Sequence, residues 1–324
     1  MHTIKELQDK IYKTLEEQKF EGNPPLLYEP IKYTLSQGGK RLRPLLTLLG
    51  CDLFGGNIDN AVYPAIGMEI FHNFTLLHDD IMDKAPIRRG KETVYKKWNT
   101  NIAILSGDTM FALAYEFMLK TDDKVISRIL PVLNQTAREV CEGQQYDMNF
   151  ETQDNVTIAD YIEMIRLKTA VLLGGSLKIG AIIGGASAEN ADYIYNFGLN
   201  VGLAFQLKDD LLDVFSDVDK FGKMTGGDIL TNKKTFLYLK AYELAKDDNL
   251  NKLNFYFKLT DKESEEKVNG IKSIYNKLNI EQLTIDEMQK YYNLALHEFD
   301  KIKIAETQKQ NLLDFAKQLM DRES

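Results

Sequence analysis

Cysteine is nearly absent from this chain. Cys51 and Cys141 stand alone with no paired spacing, which excludes a disulfide framework or a thiolate zinc site and fits a reducing compartment. Long apolar runs are missing too. The best stretch, around 170–186, is broken by Lys178 and several glycines, so no segment reaches the roughly 18 apolar residues of a membrane-spanning helix. The first residues, MHTIKELQDKIYKTLEEQ, are amphipathic and mixed in charge; they lack the apolar core of a signal peptide, and a cytoplasmic location is expected. Basic residues are outnumbered, for a net charge of −8, which argues against a nucleic-acid-binding surface. No G-x-x-x-x-G-K-[ST] motif occurs, so a nucleotide-binding P-loop is not indicated. Only seven prolines are present, and β-rich stretches, short repeats and Ser- or Pro-rich linkers are lacking.

What remains is helical period, sustained almost throughout, with a hydrophobic fraction of 44% to fill a core. Helices are expected at 3–20, 27–36, 44–53, 60–83, 93–98, 101–120, 124–148, 158–173, 176–184 and 188–216, and as a helical pattern over 234–324. Pro44 suits the first position of its helix. Thr157 with Asp160 can cap another, and Gly174-Gly175 and Gly184-Gly185 are expected to bracket or interrupt helix 176–184, letting helices approach closely or turn. Residues 84–92, 217–233, 246–251 and 260–264 read as loops or charged turns. One all-α domain over 1–324 is the simplest organisation.

Two stretches stand out: FTLLHDDIMD at 74–83 and FQLKDDLLD at 205–213. Each sets three aspartates in a D-D-x-x-D pattern, Asp79, Asp80 and Asp83 in one and Asp209, Asp210 and Asp213 in the other. On a helix the outer two share a face, while the middle one lies about 100° round the axis. A solvated acidic face is the commoner meaning of such a pattern. Here, however, both helices are apolar round most of their circumference and read as buried. Three buried carboxylates per helix repel one another unless cations neutralise them. With no His or Cys cluster beside them, a hard, oxygen-seeking ion is favoured, Mg²⁺ over Zn²⁺. Mg²⁺ bridges carboxylates to phosphate oxygens, so the two stretches are expected to be two walls of one diphosphate site. Suitable cations stand near turns and acidic clusters: Lys40, Arg41, Arg43, Arg88, Arg89, Lys168, Lys223 and Lys233.

In order along the chain, GGKRLRP (38–44), HNFTLLHDDIMD (72–83), RRG (88–90), GQQYD (143–147), KT (168–169), FQLKDDLLD (205–213), GKMTGGDI (222–229) and NKKT (232–235) resemble the trans-isoprenyl diphosphate synthases, or polyprenyl synthetases. The resemblance implies a large single-domain helical bundle around a deep central cavity, usually a homodimer. It also implies head-to-tail condensation of isopentenyl diphosphate with an allylic diphosphate. Carried over by position, Asp79, Asp83 and Asp209 are the principal ligands of three Mg²⁺ ions, and Asp80, Asp210 and Asp213 support them. Arg88, Lys168 and Lys223 grip the allylic diphosphate. Lys40, Arg43, His72 and Arg89 bind isopentenyl diphosphate. Thr169 and Gln206 face the developing carbocation, with Asp147 and Lys233 near the allylic group. Gln144 and Asp228 are supporting positions, and Arg41 is assigned no direct contact. His78 reads as a packed histidine rather than a base.

Product length should be decided about one turn, ~5.4 Å, before Asp79. Phe74 stands there as a floor, with Thr75 beside it and Phe71 deeper. Within the resembled family, one aromatic at this place and the short DDIMD form favour C20 geranylgeranyl diphosphate, with C15 farnesyl diphosphate next. A class I terpene cyclase is a rival, but it normally replaces the second D-D-x-x-D and lacks a second diphosphate site. A non-catalytic partner subunit would have lost aspartates or arginines that are intact here.

Overall fold

The computed structural model describes residues 2–216, 226–260 and 263–321. Helices dominate: α1 Ile4–Glu17, α2 Pro25–Ser36, α3 Leu42–Leu53, α4 Ile58–Met82, α5 Val94–Lys97, α6 Thr100–Met118, α7 Asp123–Thr152, α8 Ile158–Ile165, α9 Val171–Ile183 and α10 Ala188–Phe215. After these come α11 Gly227–Leu230, α12 Phe236–Leu244, α13 Asp247–Phe257, α14 Ser264–Lys277, α15 Ile280–Asp300 and α16 Glu306–Asp321. The chain forms two compact units. One comprises Met1–Asn134, Gly175–Ile194 and Lys303–Leu312; the other comprises Gln135–Gly174, Tyr195–Ile302 and Leu313–Ser324.

In the first unit α4 packs along α3 and α6. α4 is apolar on nearly every side and buries Ala61, Ile66, Met68, Ile70 and Phe71, as a helix enclosed by neighbours must. Its N-cap is Asn57, whose side chain accepts from the Asp59 amide, 3.0 Å. α3 lies almost backbone to backbone against residues 177–184. A Cβ on Gly180 would stand 1.9 Å from the Thr47 carbonyl oxygen, and one on Gly50 would stand 2.5 Å from that of Leu177.

The second unit buries Leu211, Val214, Leu237, Leu253, Ile271, Ile274 and Tyr275 in one core. A capping box of Thr157 and Asp160 starts α8 as expected. From α8 the chain continues through a π-helical turn, Arg166–Ala170, directly into α9.

Several expectations are corrected. α3 begins at Leu42, two residues before Pro44, and its cap is Arg41 in the left-handed region at φ 47°. Pro44 still sits in the first turn, where no amide donor is needed. Residues 84–92 contain a small antiparallel hairpin, β1 Ile87–Arg88 and β2 Lys91–Glu92. Its turn residues Arg89 and Gly90 have φ of 51° and 73°, the two positive values that a two-residue type I′ turn requires. Gly174-Gly175 does not interrupt a helix, since both lie inside α9; Gly174 does allow close approach, where a Cβ would stand 2.8 Å from the Tyr195 carbonyl oxygen. The charged run at 246–251 is helical from Asp247, with Asp247 and Asp248 in the first turn of α13, where the helix dipole favours negative charge.

Candidate active site

The first aspartate cluster occupies the C-terminal end of α4, and its members differ in exposure. Asp80 is buried, Asp79 is half-buried and Asp83 is exposed. The expectation of three buried carboxylates is therefore corrected, because the 100° step between neighbours turns only the middle aspartate into the protein. Burial raises the Asp80 pKa, and Arg88 opposes that shift. Arg88 Nε donates to Asp80 Oδ1 at 2.7 Å. The outer pair stays on one face: the Asp83 amide donates to the Asp79 carbonyl at 2.8 Å, so the helical turn extends through Asp83.

Behind this end stands a group of cations. Burial and then Arg43, Arg89, Arg88 and Arg41, in that order, hold the His72 pKa well below its usual 6.5. His72 is thus a neutral imidazole among guanidinium groups. Burial pulls Arg43 down to about 10, with Glu69 opposing and Arg89 adding to the shift. Arg41 is spent on structure: it pairs with the buried Glu69 and donates to the Leu35 carbonyl. Asn73 Nδ2 holds the same Glu69 oxygen at 2.9 Å. Arg88 is taken by Asp80. Among the described residues no carboxylate forms an ion pair with Arg43 or Arg89.

The Arg89 guanidinium reaches the Gly38 carbonyl and lies against Gly39. A Cβ on Gly39 would stand 2.9 Å from Arg89 Cζ, and Gly39 has φ 126°, so glycine is needed there on both counts. Lys40 is exposed beside it.

Phe74 is half-buried in a ring cluster. Its centroid lies 5.6 Å from Phe71, 5.3 Å from Phe111 and 4.8 Å from His78. Phe71 is fully buried, and Tyr115 continues the cluster 5.3 Å from Phe111. Thr75 bonds back to the His72 carbonyl at 2.8 Å. His78 turns Nε2 to the Ile104 carbonyl at 3.2 Å, in keeping with a packed histidine.

In the second unit the π turn sets Lys168 and Thr169 at the centre of a polar network. Lys168 Nζ contacts Asp147 Oδ2 at 2.6 Å. Thr169 Oγ1 donates to Gln206 Oε1 at 3.0 Å, and Gln206 Nε2 donates to Asp210 Oδ1 at 3.0 Å. Tyr161 donates its hydroxyl to the other Asp210 oxygen. Gly143 of α7 and Gly202 of α10 let this turn approach their backbones. A Cβ at 143 would stand 2.3 Å from the Lys168 nitrogen, and one at 202 would stand 2.6 Å from Ala170 Cα. A π turn inserts one extra residue and re-aims the side chains around it, and such turns concentrate at functional sites.

Here too the middle aspartate is the buried one, with Asp209 and Asp213 half-buried. Burial and then Asp228 push Asp210 up to about 8. Burial and then Asp213 push Asp228 up to about 6. Asp213 Oδ2 accepts from the Asp228 amide at 3.0 Å, and Lys233 lies 3.9 Å from Asp228. Lys234 closes the C-terminal end of α7 by donating to the Phe150 carbonyl at 2.6 Å. Gln144 is buried. Lys223 lies outside the described residues.

The donor set fits Mg²⁺. Asp79 and Asp83 offer hard carboxylate oxygens on one face. Among the described residues no three His, Cys, Asp or Glu side chains converge as a closed cage. An ion that takes one or two carboxylates and completes its shell with water and phosphate oxygens needs no such cage.

Sequence reasoning missed Glu69, Asn73, Phe111, Tyr115 and Tyr161. Of these only Glu69 carried a signal, as a lone acid in the apolar run of α4.

Arginines with no carboxylate partner among the described residues, beside a helix that ends in acidic side chains, suit a polyanionic ligand held together with a divalent cation. The Polyprenyl synthetase family profile matches residues 24–278, and the chain belongs to that family. A geranylgeranyl pyrophosphate synthase of Geoglobus acetivorans is 43% identical over 239 residues, 73% of each chain. A geranylgeranyl diphosphate synthase of Methanosarcina mazei is 41% identical over 222 residues, 68% of each. A crystal structure of a geranylgeranyl pyrophosphate synthase matches at TM-score 0.95 and 44% identity, covering 100% of both chains.

Proposed function

We propose that this prenyltransferase condenses isopentenyl diphosphate head to tail with an allylic diphosphate, releasing pyrophosphate and stopping at C20 geranylgeranyl diphosphate. The observation that carries the reading is the group of Arg43, Arg89 and neutral His72, which suits a diphosphate of several negative charges. The names of the relatives support the C20 product, as does the aromatic floor at Phe74 and Phe111.

In this reading Lys40, Arg43, His72 and Arg89 hold the diphosphate of isopentenyl diphosphate. His72, being neutral, donates a hydrogen bond without adding charge. Arg88, Lys168 and Lys223 grip the allylic diphosphate. Asp79, Asp83 and Asp209 hold Mg²⁺, three ions per active site, with Asp80, Asp210 and Asp213 in support. When bound, the ions stabilise the charge that develops on the leaving pyrophosphate.

The allylic C–O bond breaks and its electron pair leaves with pyrophosphate. The Thr169 hydroxyl spends its hydrogen on Gln206, which leaves oxygen lone pairs to face the cation. Apolar walls keep water from trapping it. The π bond of isopentenyl diphosphate attacks, and a proton then passes to pyrophosphate. Asp147 holds Lys168 in place, and Lys233 acts near the allylic group. The enzyme works as a homodimer in the cytoplasm.

Incorporation of radiolabelled isopentenyl diphosphate with dimethylallyl, geranyl and farnesyl primers tests this directly. Mg²⁺-dependent transfer is expected with at least one primer. No transfer with any primer refutes the reading, and release of a cyclic hydrocarbon from a single substrate makes the protein a terpene cyclase instead.

A further inference from the structure

Thr169 and Gln206 do not hold their arrangement unaided. A glutamine amide can rotate by half a turn and exchange its oxygen for its NH₂ with little change of shape. In one orientation Oε1 accepts the Thr169 hydrogen. In the other, NH₂ faces Thr169, and the partial positive charge of its hydrogens meets the place where the cation forms. Something must choose between the two.

We propose that Tyr161 is a positioning residue for this reaction, fixing the Asp210 carboxylate and through it the orientation of Gln206 and Thr169. The proposal rests on the assignment of Thr169 and Gln206 to the allylic cation. Tyr161 is 2% exposed and Asp210 is 4% exposed, so water does not compete for their polar atoms. The Tyr161 hydroxyl donates to Asp210 Oδ2, and Gln206 Nε2 donates to Oδ1 at 3.0 Å. Each carboxylate oxygen thus has one donor. Oδ2 takes the Tyr161 hydrogen and Oδ1 accepts from Gln206 Nε2, so a rotated Gln206 would lose its bond to Asp210 and turn its oxygen toward that acceptor; the observed chain of bonds holds Oε1 toward Thr169 at 3.0 Å.

The relay is also anchored from outside. Tyr161 is the fourth residue of α8, and its amide donates to the Thr157 carbonyl at 3.0 Å, directly over the Thr157–Asp160 capping box. The box fixes where α8 begins, and hence where the phenol oxygen arrives. Without that hydroxyl, Asp210 Oδ2 is buried with an unfilled acceptor, the carboxylate can rotate, and Gln206 loses its reference. The cost falls mainly on the chemical step, because Tyr161, Gln206 and Thr169 are assigned to neither diphosphate and Asp210 only supports the metal site.

Tyr161→Phe removes one oxygen and keeps the ring. Steady-state kinetics on the wild type, Tyr161→Phe, Gln206→Ala and the double variant, with crystal structures of the wild type and Tyr161→Phe, test the proposal. Tyr161→Phe should lower kcat about tenfold, the scale of one buried hydrogen bond left unmade, with KM for both substrates within about twofold. In the Gln206→Ala background the same change should have almost no further effect on kcat. The Tyr161→Phe crystal structure should show Gln206 rotated or in two orientations, with its bond to Thr169 lost. Multiplicative effects in the double variant, an unchanged kcat in Tyr161→Phe, or a Gln206 that keeps both its bonds would overturn the proposal. An inactive wild type would refute the prenyl-transfer reading instead, and the Gln206 geometry in the two structures would still decide the positioning role.

Discussion

At the residue scale, neighbouring side chains in one motif are given different tasks. Asp79 and its neighbour Asp80 differ by one step round α4, and that step separates a half-buried carboxylate from a buried one bonded to Arg88. Asp79→Ala should therefore abolish turnover, by a factor of at least about 10³, without unfolding the protein. Phe74→Ala should keep turnover and change the product. Removing that ring opens space between Phe71 and Phe111, and chromatography should show products longer by one or more isoprene units. An unchanged product would remove Phe74 from its role as a floor. His72 makes a pH prediction. Its folded pKa is depressed by burial and by arginines, whereas in the unfolded chain it titrates near 6.5. Below that pH the unfolded state binds a proton that the fold refuses, so stability is complete above about pH 7 and falls as pH is lowered. Thermal melts of the ligand-free protein should decline from pH 7 to 5.5, and less so in His72→Gln.

At the element scale, the π turn is the feature on which Lys168 and Thr169 depend, and two glycines make room for it. Gly143→Ala puts a methyl group 2.3 Å from a backbone nitrogen, a contact no rotamer can relieve. Urea titration should show a loss of about 3 kcal/mol, and activity should fall further than the stability loss explains. A change of less than about 0.5 kcal/mol with full activity would mean the turn shifts freely. Such a turn was not legible in the sequence, because one extra residue in a helix barely disturbs the apolar spacing from which helices are read. The hairpin at Ile87–Glu92 escaped for a different reason. Its two-residue strands are too short to alternate visibly, and only Arg89-Gly90 hinted at a turn.

At the scale of the whole molecule, helix positions were legible from period and punctuation, and the candidate site was proposed from two acidic motifs and their cations. What stayed hidden were partners joined by long-range packing. Tyr161 meets Asp210 across 49 residues of sequence, and Glu69 meets Arg41 across 28. Neither pairing leaves a local pattern, and one buried tyrosine in an apolar helix looks like any other. In the proposed function these parts together build a C20 product and stop there. Mass spectrometry of the products formed from isopentenyl diphosphate and each primer in turn, with Mg²⁺ and with EDTA, tests it most directly. Geranylgeranyl diphosphate is expected as the dominant product, with no product formed in EDTA. A dominant farnesyl product, chains beyond C20, or metal-independent turnover would contradict it.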